Sequence, residues 1–223
     1  MRKSYSYLYT GFTFLALFLI FSIILKLADY RAIGPLGTYV GLATINESVA
    51  QQLPFNSTWF TISEVCGYLN LVVAASFAIT GLVQLIKRKN YFKVDTEIRY
   101  LGYLYVIVLI FYVFFDHFVI NYRPVLEADG TLEASFPSSH TLLTISIMAS
   151  AAFIINRTSS RRNKYRTILS FLCMFVMILS VVSRTLSGVH WITDVFGGIL
   201  LGCAVSFVFA GFIFRLDEDE EYL

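Results

Sequence analysis

Charged side chains are scarce in this sequence: Asp, Glu, Lys and Arg make up only 14% of 223 residues. Soluble domains carry about 25%, so a soluble globular protein is excluded. Cysteine is nearly missing as well. Cys66, Cys173 and Cys203 are odd in number and all lie in apolar stretches, which excludes a disulfide framework. They read as small hydrophobes in helix packing. Internal repeats, low-complexity tracts and long linkers are absent too, so residues 1–223 are expected to form one membrane-embedded domain. The net charge of +2 says little by itself. The acidic run Asp217–Glu221 reads as a solvated end without a function.

What the chain has instead is apolar length. Hydrophobic residues make up 57% of it, and a membrane-spanning helix needs about 20 mostly apolar residues. Six stretches qualify: Tyr9–Leu27, Thr61–Ile86, Leu101–Ile120, Thr141–Ile155, Ile168–Leu186 and Ile192–Phe214. The first resembles a signal peptide in following Arg2 and Lys3. Its apolar run is long, however, and no small-residue cleavage site follows, so it is expected to be retained. The predicted fold is an all-α integral membrane protein with six transmembrane helices.

Charge placement then orients those helices. One set of ends holds 13 of the 17 lysines and arginines, including Arg2, Lys3, Lys87, Arg88, Arg161, Arg162 and Arg215. The other set holds only Lys26, Arg31, Arg123 and Arg184. The positive-inside rule places both termini in the cytoplasm. The long segment from Asp29 to Trp59 then lies outside, either as a simple loop or as an interfacial helix capping that end. Asn46 and Asn56 occupy glycosylation-type triplets, a weak signal. Gly198 and Gly202 have the small-xxx-small spacing of closely packed helices.

Three short segments on the outer side carry the chemistry: Asn121-Tyr122-Arg123-Pro124, Pro137-Ser138-Ser139-His140, and Ser183-Arg184 followed by His190 and Asp194. His190 and Asp194 are four apart, which on a helix puts them on one face. A carboxylate there can accept from one imidazole nitrogen and leave the other free. Taken alone, the pair reads more readily as a bond that joins two helices. Arg184 narrows the choice, because a short crossing containing Gly188 forces it into the same outer pocket as His190. Pro124 stops a helix beside Arg123. Ser138 and Ser139 can cap the fourth span, whose free amides form an anion site. Arginine forks match phosphate oxygens, and ionisable groups at a membrane are costly enough that five clustered on one side point to function.

Arg-Pro, then Pro-Ser-x-His, then Ser-Arg-x5-His-x3-Asp resembles the three-part pattern of the type 2 phosphatidic acid phosphatase superfamily. That group includes membrane lipid phosphatases and soluble vanadium haloperoxidases. The similarity runs from about Asp116 to Asp194. The third motif is complete; the second has Ser139 where the family usually has glycine, and Asp116 stands where it usually has lysine.

The charge-derived topology puts the site at the outer membrane–water interface, and the resemblance implies roles for its residues. His190 would be the nucleophile forming a phosphohistidine, Asp194 its orienting partner and His140 the general acid. Arg123, Arg184, Ser138 and Ser139, the last through nearby amides, would bind phosphate. It implies no cofactor and no metal, and the sequence offers no competing metal-ligand cluster. The partners expected are the bilayer and a phosphorylated lipid, with no nucleic acid and no obligatory protein partner. Phosphatidylglycerol phosphate, phosphatidate and a polyprenyl diphosphate all fit, and the chain's size resembles bacterial envelope enzymes of the cytoplasmic membrane. A lipid phosphotransferase with the same site and a non-catalytic lipid-binding or transport protein remain as alternatives. His117 reads as a helix-end residue. Asp116 is expected to share a helical face with Arg123 and to point away from the site, with a basic residue such as Arg31 replacing the family lysine.

Overall fold

A computed structural model describes residues 2–158 and 164–220. Arg161, Arg162 and Glu221 lie outside the described residues, as do the side chains of Asp217, Asp219 and Glu220. Six helices are long and apolar enough to cross a membrane: α1 (Lys3–Leu27), α3 (Ser57–Arg88), α4 (Thr96–His117), α5 (Ser139–Thr158), α6 (Lys164–Leu186) and α7 (Ile192–Glu220). The chain is a multi-pass integral membrane protein.

Most spans begin or end a few residues beyond the apolar runs, because interfacial polar residues extend the helices. Asn56 caps α3 by accepting from the Trp59 amide (3.1 Å), and Lys89 closes it in the left-handed region (φ 52°). Span α4 is the exception: it stops at His117, short of the expected Ile120. The chain turns inward there because Asn121 is completely buried and bonded across the protein to Asp194. Arg123 is therefore in a loop, and the helical face expected to join it to Asp116 does not exist. The acidic end also differs from expectation. It continues α7, and Glu218 accepts from the Ser4 amide (3.1 Å) and hydroxyl (2.5 Å), tying the start of α1 to the end of α7.

Span α5 is the most buried, with α7 next, and α1 and α6 pack against this central pair. In lipid, apolar burial supplies little association energy, so close contact and interhelical hydrogen bonds decide the packing. A methyl at Gly198 would stand 2.8 Å from the Ser138 carbonyl, and one at Gly202 would stand 2.9 Å from Ile145 Cβ. Their bareness lets α7 and α5 touch. Further in, Asn70 donates to Thr144 (2.5 Å), which shares a bond with Ser180 (3.0 Å), a polar rung joining α3, α5 and α6.

The segment between α1 and α3 folds over one end of the bundle. Strands β1 (Arg31–Ala32) and β2 (Tyr39–Val40) form a short antiparallel ladder, and α2 (Ala43–Gln52) follows. Asn46 is fully buried, donating to the Gly41 carbonyl (2.8 Å) and Thr193 (2.9 Å). Its triplet is thus a packing joint that clasps the start of α7, not a glycan acceptor.

Candidate active site

The same end of the bundle gathers the first turns of α3, the α4–α5 loop, the start of α5, the end of α6 and the α6–α7 turn. The turn is built around Gly188, whose φ of +69° suits glycine. A side chain there would also strike the Leu53 carbonyl at 2.7 Å, so the capping segment presses directly on the turn. The Asn56 amide donates to the Ser187 carbonyl (3.0 Å), and the Trp191 indole donates to the Tyr122 carbonyl (2.7 Å). His190 is held between these anchors and is 7% exposed.

Asp194 lies at the centre and is fully buried. Its carboxylate accepts from Asn121 Nδ2 (3.0 Å), the Trp191 amide (3.0 Å) and Ser135 Oγ (2.5 Å), and its backbone carbonyl accepts from the Ser138 amide (2.9 Å). The direct His190–Asp194 hydrogen bond expected from their spacing is not made. His190 precedes α7, so helical spacing does not apply, and its Nδ1 is 3.8 Å from Asp194 Oδ2. Ser135 bridges the gap, with Oγ 2.9 Å from His190 Nδ1. Since its hydroxyl proton goes to Asp194, Ser135 accepts from Nδ1–H. That tautomer leaves Nε2 with its lone pair, and Nε2 is buried without a partner. Burial, reinforced by the charges of Arg184 and Arg123, holds the His190 imidazole well below its usual pKa and keeps it neutral.

Ser135 is positioned by its neighbour. Phe136 is buried, stacks on Phe18 with ring centroids 5.8 Å apart, and lies where a Gly197 side chain would otherwise be. Aromatic pairs of this kind contribute about 0.5–1.5 kcal/mol beyond their area, enough to fix the loop next to the serine.

Both arginines reach this region, and each is paired with carboxylates. Arg184 is 2% exposed and donates to Glu64 Oε1 (3.0 Å) and Ser63 Oγ (3.3 Å). Arg123 donates to Glu127 (3.0 Å) and Glu133 (2.7 Å). The Nε atoms of both guanidiniums are buried without partners. His140 Nε2 lies 3.2 Å from the Ser63 carbonyl and 3.9 Å from Glu64 Oε1. The charges of Arg184, Arg123 and His140 all act on His190, so the four groups form one electrostatic unit. Glu133 belongs to its rim: burial and the adjacent Glu127 push its carboxyl up to about 7, against the pull of Arg123.

Other expected residues are placed differently. The Ser138 hydroxyl is fully buried and faces Thr141 Oγ1 (3.2 Å), so it is used within the first turn of α5. Ser139 lines a small cavity with Asp116, Glu133 and Ser135. Asp116 is exposed, and its carboxylate lies 4.0 Å from His117 Nδ1. Arg31 bonds Asp29 (2.8 Å) and Thr44 (2.8 Å) and does not replace a lysine in the site. His117 is an exposed helix-end residue with Nδ1 2.9 Å from the Val113 carbonyl. Among the described residues, no group of three His, Cys, Asp or Glu side chains is placed to hold a metal ion.

Ser135 and Glu64 were not found from the sequence. Ser135 belongs to no charged motif and gave no signal. Glu64 did: it is the one charged residue in the apolar stretch from Ser57 to Ile86, and such residues mark sites by default.

The arrangement is similar to known proteins. The crystal structure of a transmembrane PAP2-type phosphatidylglycerolphosphate phosphatase from Bacillus subtilis shares the fold, with a TM-score of 0.59 and 20% identity over 92% of this chain and 96% of that one. Phosphatidylglycerophosphatase B of Bacillus subtilis (strain 168) is 30% identical over 78 residues, 35% of this chain and 38% of that protein. The match thus spans well under half of that relative. The family model of the PAP2 superfamily matches residues 69–218, which is most of the described bundle and nearly all of the site. The chain belongs to the PAP2 superfamily.

Proposed function

We propose that this protein is a lipid phosphatase that removes a terminal phosphate from a membrane lipid through a phosphohistidine on His190. The observation that carries the reading is the set of buried, unpartnered nitrogens: Nε of Arg123, Nε of Arg184 and Nε2 of His190. Buried polar atoms are nearly always paired, so two orphaned cationic donors beside one orphaned basic nitrogen are the complement of an anion with an electrophilic centre.

The chemistry follows from those atoms. The guanidiniums hold the phosphate oxygens and take up the charge that develops in the transition state. His190 Nε2 attacks phosphorus, while the Ser135–Asp194 chain holds Nδ1–H and stabilises the imidazolium that forms. The bond from phosphorus to the lipid oxygen breaks, and that oxygen takes a proton from His140. Water then attacks the phosphohistidine, giving its proton to His140, and inorganic phosphate leaves. The amides of the first turn of α5, at Ser139 and His140, offer a further anion contact. The Ser138 hydroxyl, already engaged, has a capping role in this scheme.

The substrate is a phosphorylated lipid, because the site sits at the end of a membrane bundle. Both B. subtilis relatives are named for phosphatidylglycerol phosphate, which makes that lipid the first to test, ahead of phosphatidate and polyprenyl diphosphates. The bias of lysine and arginine toward the opposite end supports cytoplasmic termini and an extracytoplasmic site, and the bacterial relatives support a place in a bacterial cytoplasmic membrane.

The test is phosphate release in detergent from these lipids with no added acceptor. Release from at least one, lost in His190→Ala, is the expected result. Turnover only when an acceptor alcohol is supplied would identify a phosphotransferase, and no turnover with any would leave a lipid-binding protein.

A further inference from the structure

Glu64 is the unexpected member of the site. It lies near the start of α3, accepts from Arg184 at 3.0 Å and stands 3.9 Å from His140 Nε2. The His140 ring is pressed against the same helix: a side chain on Gly67 would meet Nε2 at 2.5 Å. The partner of Nε2 in the resting site is the Ser63 carbonyl, which can only accept, so Nε2 carries the proton.

To act as an acid the ring must carry a second proton as well, and its neighbours are mostly positive. His140 is faced by Arg184 from α6, by Arg123 from the α4–α5 loop and by His190 from the α6–α7 turn. Two of these neighbours are permanent cations, which repel an imidazolium. From α3 come the two groups that favour it, the Ser63 carbonyl and Glu64, and Glu64 is the only carboxylate within 4 Å of His140 among the described residues.

We propose that Glu64 is a positioning residue for the leaving-group proton, holding Arg184 in the resting site and passing to His140 when phosphate takes that guanidinium. The proposal rests on the phosphohistidine reading above. Phosphate, with three oxygens and greater charge, displaces the carboxylate from Arg184. Freed there, Glu64 turns to His140, and the ring takes up a second proton from solvent at Nδ1 to become an imidazolium whose Nε2–H faces the carboxylate and the Ser63 carbonyl. The acid is thus charged when the lipid phosphate is in place. As the bond from phosphorus to the lipid oxygen breaks and the His190–phosphorus bond forms, the Nδ1 proton moves to the lipid oxygen and leaves the neutral Nε2–H ring beside Glu64.

The experiment compares an alkyl ester, phosphatidate, with an aryl ester, p-nitrophenyl phosphate, whose leaving group needs little protonation. Wild type, Glu64→Gln, Glu64→Asp, His140→Ala and His190→Ala are assayed in detergent across pH. In Glu64→Gln, kcat on the alkyl ester is expected to fall roughly 10- to 100-fold, within the range of a general acid, and far less on the aryl ester. The upper pH limb of kcat should move to lower pH, and Glu64→Asp should recover part of both effects. Equal losses on both esters, or no loss on either, would overturn the role of Glu64. His140→Ala separates the two levels. If it is selective for the alkyl ester while Glu64→Gln is not, the phosphohistidine reading stands and only the Glu64 proposal fails. If His140→Ala is unselective, or His190→Ala still turns over, the underlying reading fails and takes the proposal with it.

Discussion

Ser135 stands between His190 and Asp194, receiving Nδ1–H at 2.9 Å and passing its own proton to a carboxylate that is 3.8 Å from the ring. Asp194 thus acts on His190 chiefly through a hydroxyl. Ser135→Ala should keep the fold, because Phe136 anchors the loop independently, and should lower kcat roughly 10- to 100-fold with little change in KM. That is less than the ~10²–10⁴ assigned to a complete acid–base group. Asp194→Asn should cost more, since it removes the end of the chain and disturbs the bonds from Asn121 and Trp191. Steady-state kinetics in detergent measure both.

Glu133 bonds Arg123 at 2.7 Å and, on the proposed mechanism, competes with phosphate for it. Its carboxyl is raised to about 7 by burial and by Glu127, so it is neutral below that pH and ionised above it. The sign follows: Arg123 is freer for substrate at pH 6 than at pH 8, and KM should rise as pH increases through 7. Glu133→Gln should flatten that rise and leave kcat nearly unchanged. A KM that falls with pH in wild type would show that Glu133 does not hold the arginine.

Gly67→Ala tests the packing of His140, the proposed general acid. The new methyl would overlap His140 Nε2 by roughly an ångström against the usual contact limit. The ring must rotate away, so kcat on an alkyl phosphate should drop about 10-fold or more while the detergent-solubilised protein stays monodisperse. At Gly188 the consequence is different. A left-handed backbone and contact with Leu53 and Pro54 mean that Gly188→Ala should lower stability by about 1–3 kcal/mol, read as an earlier thermal transition.

The bundle was legible because apolar length is written plainly in the sequence. Six runs mark six spans, and Gly198 with Gly202 announces the α5–α7 contact. The charged side chains that gather at the candidate site were legible too, since Arg123, His140, Arg184, His190 and Asp194 are conspicuous in an apolar chain. What escaped depends on tertiary placement. Helical spacing suggested a direct His190–Asp194 bond, but the helix starts two residues too late, and a neutral serine from a distant loop fills the gap. Asp116 and Arg123 were assigned to one helix that ends before Arg123, because the buried Asn121 pulls the chain inward. Arg31 was a reasonable stand-in for a lysine by charge alone, yet Asp29 and Thr44 already occupy its donors. Asn46 looks like a glycan acceptor in one dimension and is a buried clasp in three.

Sidedness is open to direct test. A tag inserted between Glu127 and Glu133 should be labelled on intact cells, and a cytoplasm-dependent reporter fused after Leu223 should be active. Labelling only after permeabilisation would invert the arrangement and put the chemistry on the inner leaflet.

The most direct measurement is the covalent intermediate on His190. Wild-type protein mixed with a ³²P-labelled lipid phosphate and quenched within a turnover should carry protein-bound phosphate that acid removes and alkali does not. His190→Ala, folded and inserted, should carry none and release no phosphate. Label that persists in His190→Ala, or phosphate release from it at near wild-type rate, would contradict the assignment of His190 as nucleophile.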